Sequence, residues 1–276
     1  MTGEVRLSGA YCRAPGSDTV VLVVHGLGGA TTAGYCIGAA SAASRAGYSC
    51  LRLALRGADR LGEDFHHAGM VDDVRAALAS AQLAHYRRVF VVGYSMGGHI
   101  ALRAAIEKVD QRIVAVAAIC PPLDLAAGQR AIDAPSSWIY RRHVIAGLNE
   151  MYAAVAARRP VPTPIERVRM ATTLREWDRL TVVPRFDFHD VDDYYTRASV
   201  STHIARLDCP ALIIASQHDP MIPAKTLFPA IACAPACLEV RWVRGGGHVY
   251  FRPDLNLGMG QEPGVEAQTI AWLSRH

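Results

Sequence analysis

Six short stretches of the chain are almost continuously apolar: TVVLVV from Thr19, YSCLRLAL from Tyr48, RVFVVG from Arg88, IVAVAAI from Ile113, ALIIAS from Ala211 and LEVRWV from Leu238. They are rich in β-branched residues, and most lack the polar alternation of a half-exposed strand. They therefore read as strands of a sheet covered on both faces. Between and after them run segments with helical spacing of apolar positions: Ala33 to Ala46, Val71 to Ala84, Gly98 to Glu107, Ala224 to Ile231 and Val265 to Ser274. Strands alternating with helices predict an α/β fold with a mostly parallel, doubly wound sheet.

The rhythm breaks between about Leu123 and Val200, where no core strand is visible. Trp138, Ile145, Leu148, Tyr152 and Val155 recur there at helical spacing, forming one apolar stripe. Proline-rich VPTPIERV and then REWDRLTVVPRFDFHDVDDYYTRAS follow. Loops at the carboxyl ends of strands surround the ligand crevice of an open α/β sheet, so an insertion of roughly eighty residues there reads as a mainly helical cap over a site. The predicted organisation is a core of residues 1–122 and 201–276 and a cap of residues 123–200, with no internal repeat and no low-complexity linker.

Composition narrows the function classes. A chain of 276 residues with 51% hydrophobic and 20% charged residues has ample material for a core. The formal net charge is only +4, and no block of like charges occurs, which argues against nucleic acid as a partner. The first residues, MTGEVRLSGAYCRAPGS, lack a basic segment followed by an apolar one, so no secretory signal is read. The apolar window from Ile113 breaks at Pro121 and Asp124, too soon to cross a bilayer. Seven scattered cysteines, without a C-x-x-C pair, read as reduced thiols of a cytoplasmic protein.

The stretch VVGYSMGGH, Val91 to His99, places Ser95 between Gly93 and Gly97 where a strand meets a helix. A strand that turns sharply into a helix presses the residues two before and two after the turn together, so both want no side chain, and the turn hydroxyl projects clear of the sheet. A serine needs a base to take its proton, and the base needs a partner to hold its tautomer. Of the eleven histidines, His248 follows the last predicted strand on a glycine loop, and Asp219 follows ALIIAS. Ser95, Asp219 and His248 thus lie on loops after three different strands, in the chain order of the α/β-hydrolase arrangement. Asp124, after the strand ending at Ile119, is the alternative acid. Asp254 comes after the histidine, in the wrong order, and His218 would have to fold back on its neighbour. Acyl transfer also needs N–H donors for the developing oxyanion. Met96, directly after the nucleophile at a helix N-terminus, and Leu27, in the loop HGLGG after the first strand, are the candidates. His25 in that loop reads as a brace for the turn. His67 and Asp72 have an H-x-x-x-x-D spacing, although Asp72 is as well explained as a first-turn helix residue. The pairs Arg141–Arg142 and Arg158–Arg159 raise membrane contact through the cap, but a solvated face accounts for them.

HGLGG, LRGADRLGEDFHHAGMVDDVRAAL, GYSMGGH, the WD…DDYYTRAS run, CPALIIASQHDPMIP and GGHVYF resemble the YheT-type, ABHD1/ABHD3-like esterase branch of the α/β-hydrolase fold. That branch includes the yeast medium-chain ethanol acyltransferase/esterases. The likeness runs from about Val20 to the C-terminus. It implies Ser95 as nucleophile, Asp219 as acid and His248 as base, and a serine carboxylesterase acting on short- to medium-chain acyl esters with no metal or organic cofactor. The alternatives are an alcohol acyltransferase with the same acyl-enzyme, a thioesterase or C–C hydrolase, and a non-catalytic binding protein of this fold. The chain departs from the branch in having only about eighteen residues before the first strand, so the first sheet strands are expected to be missing or the edge to be covered differently. It also has Tyr250 where a glycine is usual, which is expected to narrow the pocket.

Overall fold

The computed structural model describes residues 5–276. Seven strands, β1 (Ser8–Cys12), β2 (Thr19–Val24), β3 (Ser49–Ala54), β4 (Arg88–Tyr94), β5 (Ile113–Ile119), β6 (Ala211–Ser216) and β7 (Leu238–Val243), form one sheet in the order β1-β3-β2-β4-β5-β6-β7. Every neighbouring pair is parallel except β1 with β3. The helices are α1 (Gly34–Arg45), α2 (Asp72–Ala79), α3 (Met96–Ile106), α4 (Leu125–Asp133), α5 (Trp138–Ala156), α6 (Ile165–Val168), α7 (Leu174–Leu180), α8 (Val182–Arg185), α9 (Val191–Ala198), α10 (Phe228–Ala232) and α11 (Val265–Leu273).

The apolar runs become strands because each must bury both faces. Val20, Leu22 and Val24 of β2 pack with α2, α3 and the helices of the insertion, whereas Val21 and Val23 pack with α1 and α11. All five are fully buried, and each such side chain contributes about 1.5–3 kcal/mol relative to exposure. The winding reverses beside β2: the chain goes to β3 on one side and then to β4 on the other. Loops leaving β2 and β4 therefore diverge and open a crevice at the carboxyl edge of the sheet.

Some boundaries differ from the reading of the sequence. SGAYC forms the antiparallel edge strand β1, which pairs with β3 from Ser8 opposite Ala54 to Cys12 opposite Cys50. Its side chains stay partly or largely exposed, so it carries no apolar signature, and it forms the edge of the sheet beside β3. The helix expected to Ala84 ends at Ala79, where Ser80 leaves the helix and its hydroxyl donates to Ala77 O. The helix expected from Ala224 divides into a 3-10 turn, Ala224–Thr226, and α10, whose second residue is Pro229.

Between β5 and β6 the chain is helical, with no strand among the described residues. Asp124, Thr173 and Asp190 cap α4, α7 and α9 by accepting from Ala127 N, Glu176 N and Asp193 N, the expected use of these residues at a helix start. Ile145, Leu148, Tyr152 and Val155 of α5 are buried, but Trp138 is 53% exposed and lies off the stripe. Three of the four paired arginines are turned onto the protein. Arg141 donates to Asp133 O, Arg158 to Leu61 O, and Arg159 to Glu63. No helix among the described residues is long and apolar enough to cross a membrane.

Candidate active site

Strand β4 ends in Tyr94, and Ser95 takes φ 52° and ψ −120° before α3 begins at Met96. A non-glycine residue there is strained, and such strain persists only where the surroundings over-determine it. The surroundings are backbone. A Cβ on Gly93 would stand 2.0 Å from Gly97 O, and one on Gly97 would stand 2.2 Å from Val24 O and 2.5 Å from His25 O. The elbow is thus clamped between its own two arms and the end of β2. Gly97→Ala is expected to destabilise the protein by about 3 kcal/mol, read from urea denaturation midpoints. Gly34→Ala, where no atom lies within 4 Å, is the control. Equal stability of the two variants would show that the elbow yields without cost.

The loop after β2 reaches the same place. A Cβ on Gly26 would stand 3.2 Å from Ser95 Cβ. His25 is fully buried, with Nδ1 2.8 Å from Gly26 O and Nε2 accepting from Leu55 N at 3.2 Å. Burial, with His66 adding repulsion, holds its pKa down to about 4. A neutral ring with both nitrogens engaged braces the turn. Leu27 and Met96 line one cavity with Ser95 and His248. Met96 opens α3, so its N–H has no helical carbonyl to serve.

Loops after β6 and β7 complete the arrangement. His248 Nε2 is 2.8 Å from Ser95 Oγ, and Nδ1 is 2.9 Å from Asp219 Oδ2. Asp219 is 6% exposed, and its Oδ1 accepts from Met221 N at 2.8 Å and Ile222 N at 2.9 Å. The acid is therefore held by backbone on one oxygen and faces the imidazole with the other. Such a row can pass a proton from a serine hydroxyl to an imidazole whose tautomer is set from behind. Val249, next to the histidine, has φ 52°, and Cys120, at the end of β5, has φ 50°. The thiol of Cys120 lies with Asp219 and His248 in a group whose ligand-type atoms are all within 4.8 Å of one another. Burial, then the charge of Asp219, pushes that thiol up to about 12, and the carboxylate is already committed, so the trio is poorly suited to hold a metal ion.

The other candidates lie elsewhere. Asp124 caps α4, Asp254 pairs with Arg252, and His218 is exposed. His67 lines the cavity while Asp72 is exposed at the start of α2; the structure does not bring them together. Tyr250 is 76% exposed and absent from the cavity wall, where Val249 stands instead. The residue expected to narrow the pocket thus faces away from it, because the turn at Val249 directs the chain outward.

The cavity is about 340 Å³, and the helices between β5 and β6 form much of its wall. Leu125 and Ile132 of α4, Val144 and Leu148 of α5, and Leu174 and Trp177 of α7 supply apolar walls. Polar residues of the wall that the sequence did not mark include His66, Gln129, His143 and Asp178. Asp178 falls within the WD…DDYYTRAS run, so the family likeness marked its neighbourhood without giving it a task.

The model of the alpha/beta hydrolase family matches residues 13–255 of the chain. "Putative esterase YheT" of Escherichia coli is 28% identical over 243 residues, which cover 84% of this chain and 70% of that protein. "Phospholipase ABHD3" of Homo sapiens is 22% identical over 242 residues, 84% of this chain but only 58% of the human protein, so the chain spans less than two thirds of that relative. Among solved structures, the Pyrococcus furiosus esterase Pf2001 superposes with a TM-score of 0.55 at 18% identity, covering 89% of this chain and 79% of its own.

Proposed function

The chain belongs to the α/β-hydrolase family, and from that premise we propose that it is a serine carboxylesterase acting on short- to medium-chain acyl esters. The observation that carries this reading is the row Ser95 Oγ to His248 Nε2 at 2.8 Å and His248 Nδ1 to Asp219 Oδ2 at 2.9 Å, opening on an apolar cavity. His248 takes the proton as Ser95 Oγ attacks the ester carbonyl, and the carbonyl electron pair moves onto oxygen. The N–H groups of Leu27 and Met96 receive that oxyanion. Collapse of the tetrahedral species expels the alcohol, which leaves with the proton from His248. Water, deprotonated by the same histidine, then cleaves the acyl-enzyme to the free acid and restores Ser95. The esterase names of several relatives support the reaction class. All seven cysteines are unpaired thiols, which supports a reducing, cytoplasmic setting.

The test is release of p-nitrophenol from an acyl series running from acetyl to dodecanoyl, with and without added ethanol. Turnover is expected to peak at one intermediate chain length, set by a cavity of about 340 Å³, with the free acid as the main product. Mainly ethyl ester as product would make the protein an alcohol acyltransferase. No turnover across the series would exclude simple esters and direct the search to thioesters and C–C substrates.

A further inference from the structure

Asp178 is a buried carboxyl group that the proposed reaction does not use. It is 6% exposed and lines the cavity. Oδ2 accepts from Tyr195 Oη at 2.6 Å. Oδ1 has no hydrogen-bond partner among the described residues, yet it is not sealed from the cavity. Gln129, on the facing helix α4, has a related asymmetry. One proton of its Nε2 goes to Asp133 Oδ2 at 2.5 Å, and on this residue of the cavity wall the amide oxygen and second N–H have no partner among the described residues. Asp133 itself is filled, since it also accepts from Leu174 N and Arg175 N at the start of α7.

Acceptors outnumber donors at this corner, where the second N–H of Gln129 is the spare donor. Asp178 Oδ1 and Gln129 Oε1 are acceptors, the Tyr195 proton is spent, and Asp133 adds negative charge close by. Arg175, nearby, makes its own bidentate pair with Asp192 on the outside. Trp177 and Tyr194 line the same cavity. Burial, with Asp133 adding repulsion, pushes the Asp178 carboxyl up to about 7. An unpaired carboxylate in an apolar cavity is costly, and it is retained where something pairs with it.

The geometry points to Asp178 and Gln129 as a recognition site for a primary ammonium group, so that the esters this protein prefers carry an amino group on the part of the molecule that enters the cavity. This rests on the esterase reading, because it names the substrate class of the same cavity. A neutral hydroxyl uses the same acceptors less well, since it offers one proton and no charge. A carboxylate meets the like charge of Asp178 and Asp133.

The experiment measures binding without turnover. Ser95→Ala protein at pH 8 is titrated calorimetrically with n-hexylammonium, n-hexanol and n-hexanoate. Hexylammonium is expected to bind at least tenfold more tightly than hexanol, with hexanoate the weakest. In the Ser95→Ala/Asp178→Asn double variant the tenfold gap closes. Asparagine keeps an oxygen for Tyr195 but turns an NH₂ donor toward the ligand. Equal binding of amine and alcohol in the single variant overturns the proposal, and so does a gap that survives Asp178→Asn. If the double variant does not fold, the comparison of the three ligands still decides. Wild-type protein inert toward every ester would overturn the esterase reading while this titration still reported on the cavity.

Discussion

Replacing Ser95 by alanine is expected to lower kcat/KM for the best p-nitrophenyl ester by roughly 10⁴- to 10⁶-fold, with the fold intact. The side chain's named hydrogen-bond partner is His248, so the substitution removes one oxygen and leaves the packing of the elbow as it was. The backbone is held independently, with Ser95 N donating to Ile119 O at 2.8 Å and His99 N to Ser95 O at 3.1 Å. Alanine has no more difficulty than serine at φ 52°, because the strain lies in the Cβ and both have one. The loss should therefore fall on kcat, with an unchanged thermal midpoint and circular dichroism spectrum. Some rate over water should remain, since the N–H groups of Leu27 and Met96 and the cavity are untouched. Turnover within tenfold of wild type would mean that ester cleavage does not run through Ser95, and the proposed mechanism would fall with it.

The parts that were legible in the sequence are those whose physical demand is local. TVVLVV, RVFVVG and ALIIAS read as buried strands because a sheet covered on both faces tolerates no polar alternation. The elbow was visible because two backbones that approach to 2.0–2.2 Å of a hypothetical Cβ admit only glycine at Gly93 and Gly97. His248 and Asp219 could be chosen from many histidines and aspartates because strand ends gather at one edge of a parallel sheet. The edge strand β1 was not legible, since half-exposed residues need no apolar pattern. Neither was the direction of Tyr250, which depends on the left-handed turn at Val249, a β-branched residue that nothing local would place there.

The cavity wall was the least legible part for a different reason. Asp178 is an ordinary helix residue by propensity, and its meaning comes from Tyr195, seventeen positions later, and from Gln129 on another helix. Likewise, His99 follows the elbow in sequence but is buried with Nδ1 2.6 Å from Pro122 O and Nε2 2.8 Å from Ala198 O. It ties the loop after β5 to the end of α9 and stays apart from the row at Ser95. Burial holds its pKa down to about 4, against the pull of those two carbonyls. Arg103 Nη1 also donates to Ala198 O at 2.9 Å, so the end of α9 is tied to α3 by two side chains.

Replacing Asp219 by asparagine is expected to cost about 10⁴-fold in kcat, although the variant is nearly isosteric. The direction follows from the backbone. Met221 N and Ile222 N both donate to Oδ1, so in asparagine the oxygen must remain at that position, because an NH₂ group there would face two donors. The NH₂ group is thereby turned to His248 Nδ1, which in the wild type lies 2.9 Å from Oδ2. An imidazole offered a donor at Nδ1 adopts the tautomer protonated at Nε2, and Nε2 is the atom facing Ser95 Oγ. The base then presents a proton to the hydroxyl it should deprotonate. The defect should appear in kcat with KM little changed, and it should ease as pH rises and hydroxide competes with His248 as the base. Asp219→Glu would not rescue it, since the longer side chain cannot keep both the backbone bonds and the reach to Nδ1. If Asp219→Asn instead retained activity within tenfold of wild type, another acid would be holding the histidine. Asp124, already committed as the cap of α4, would then be the first residue to replace.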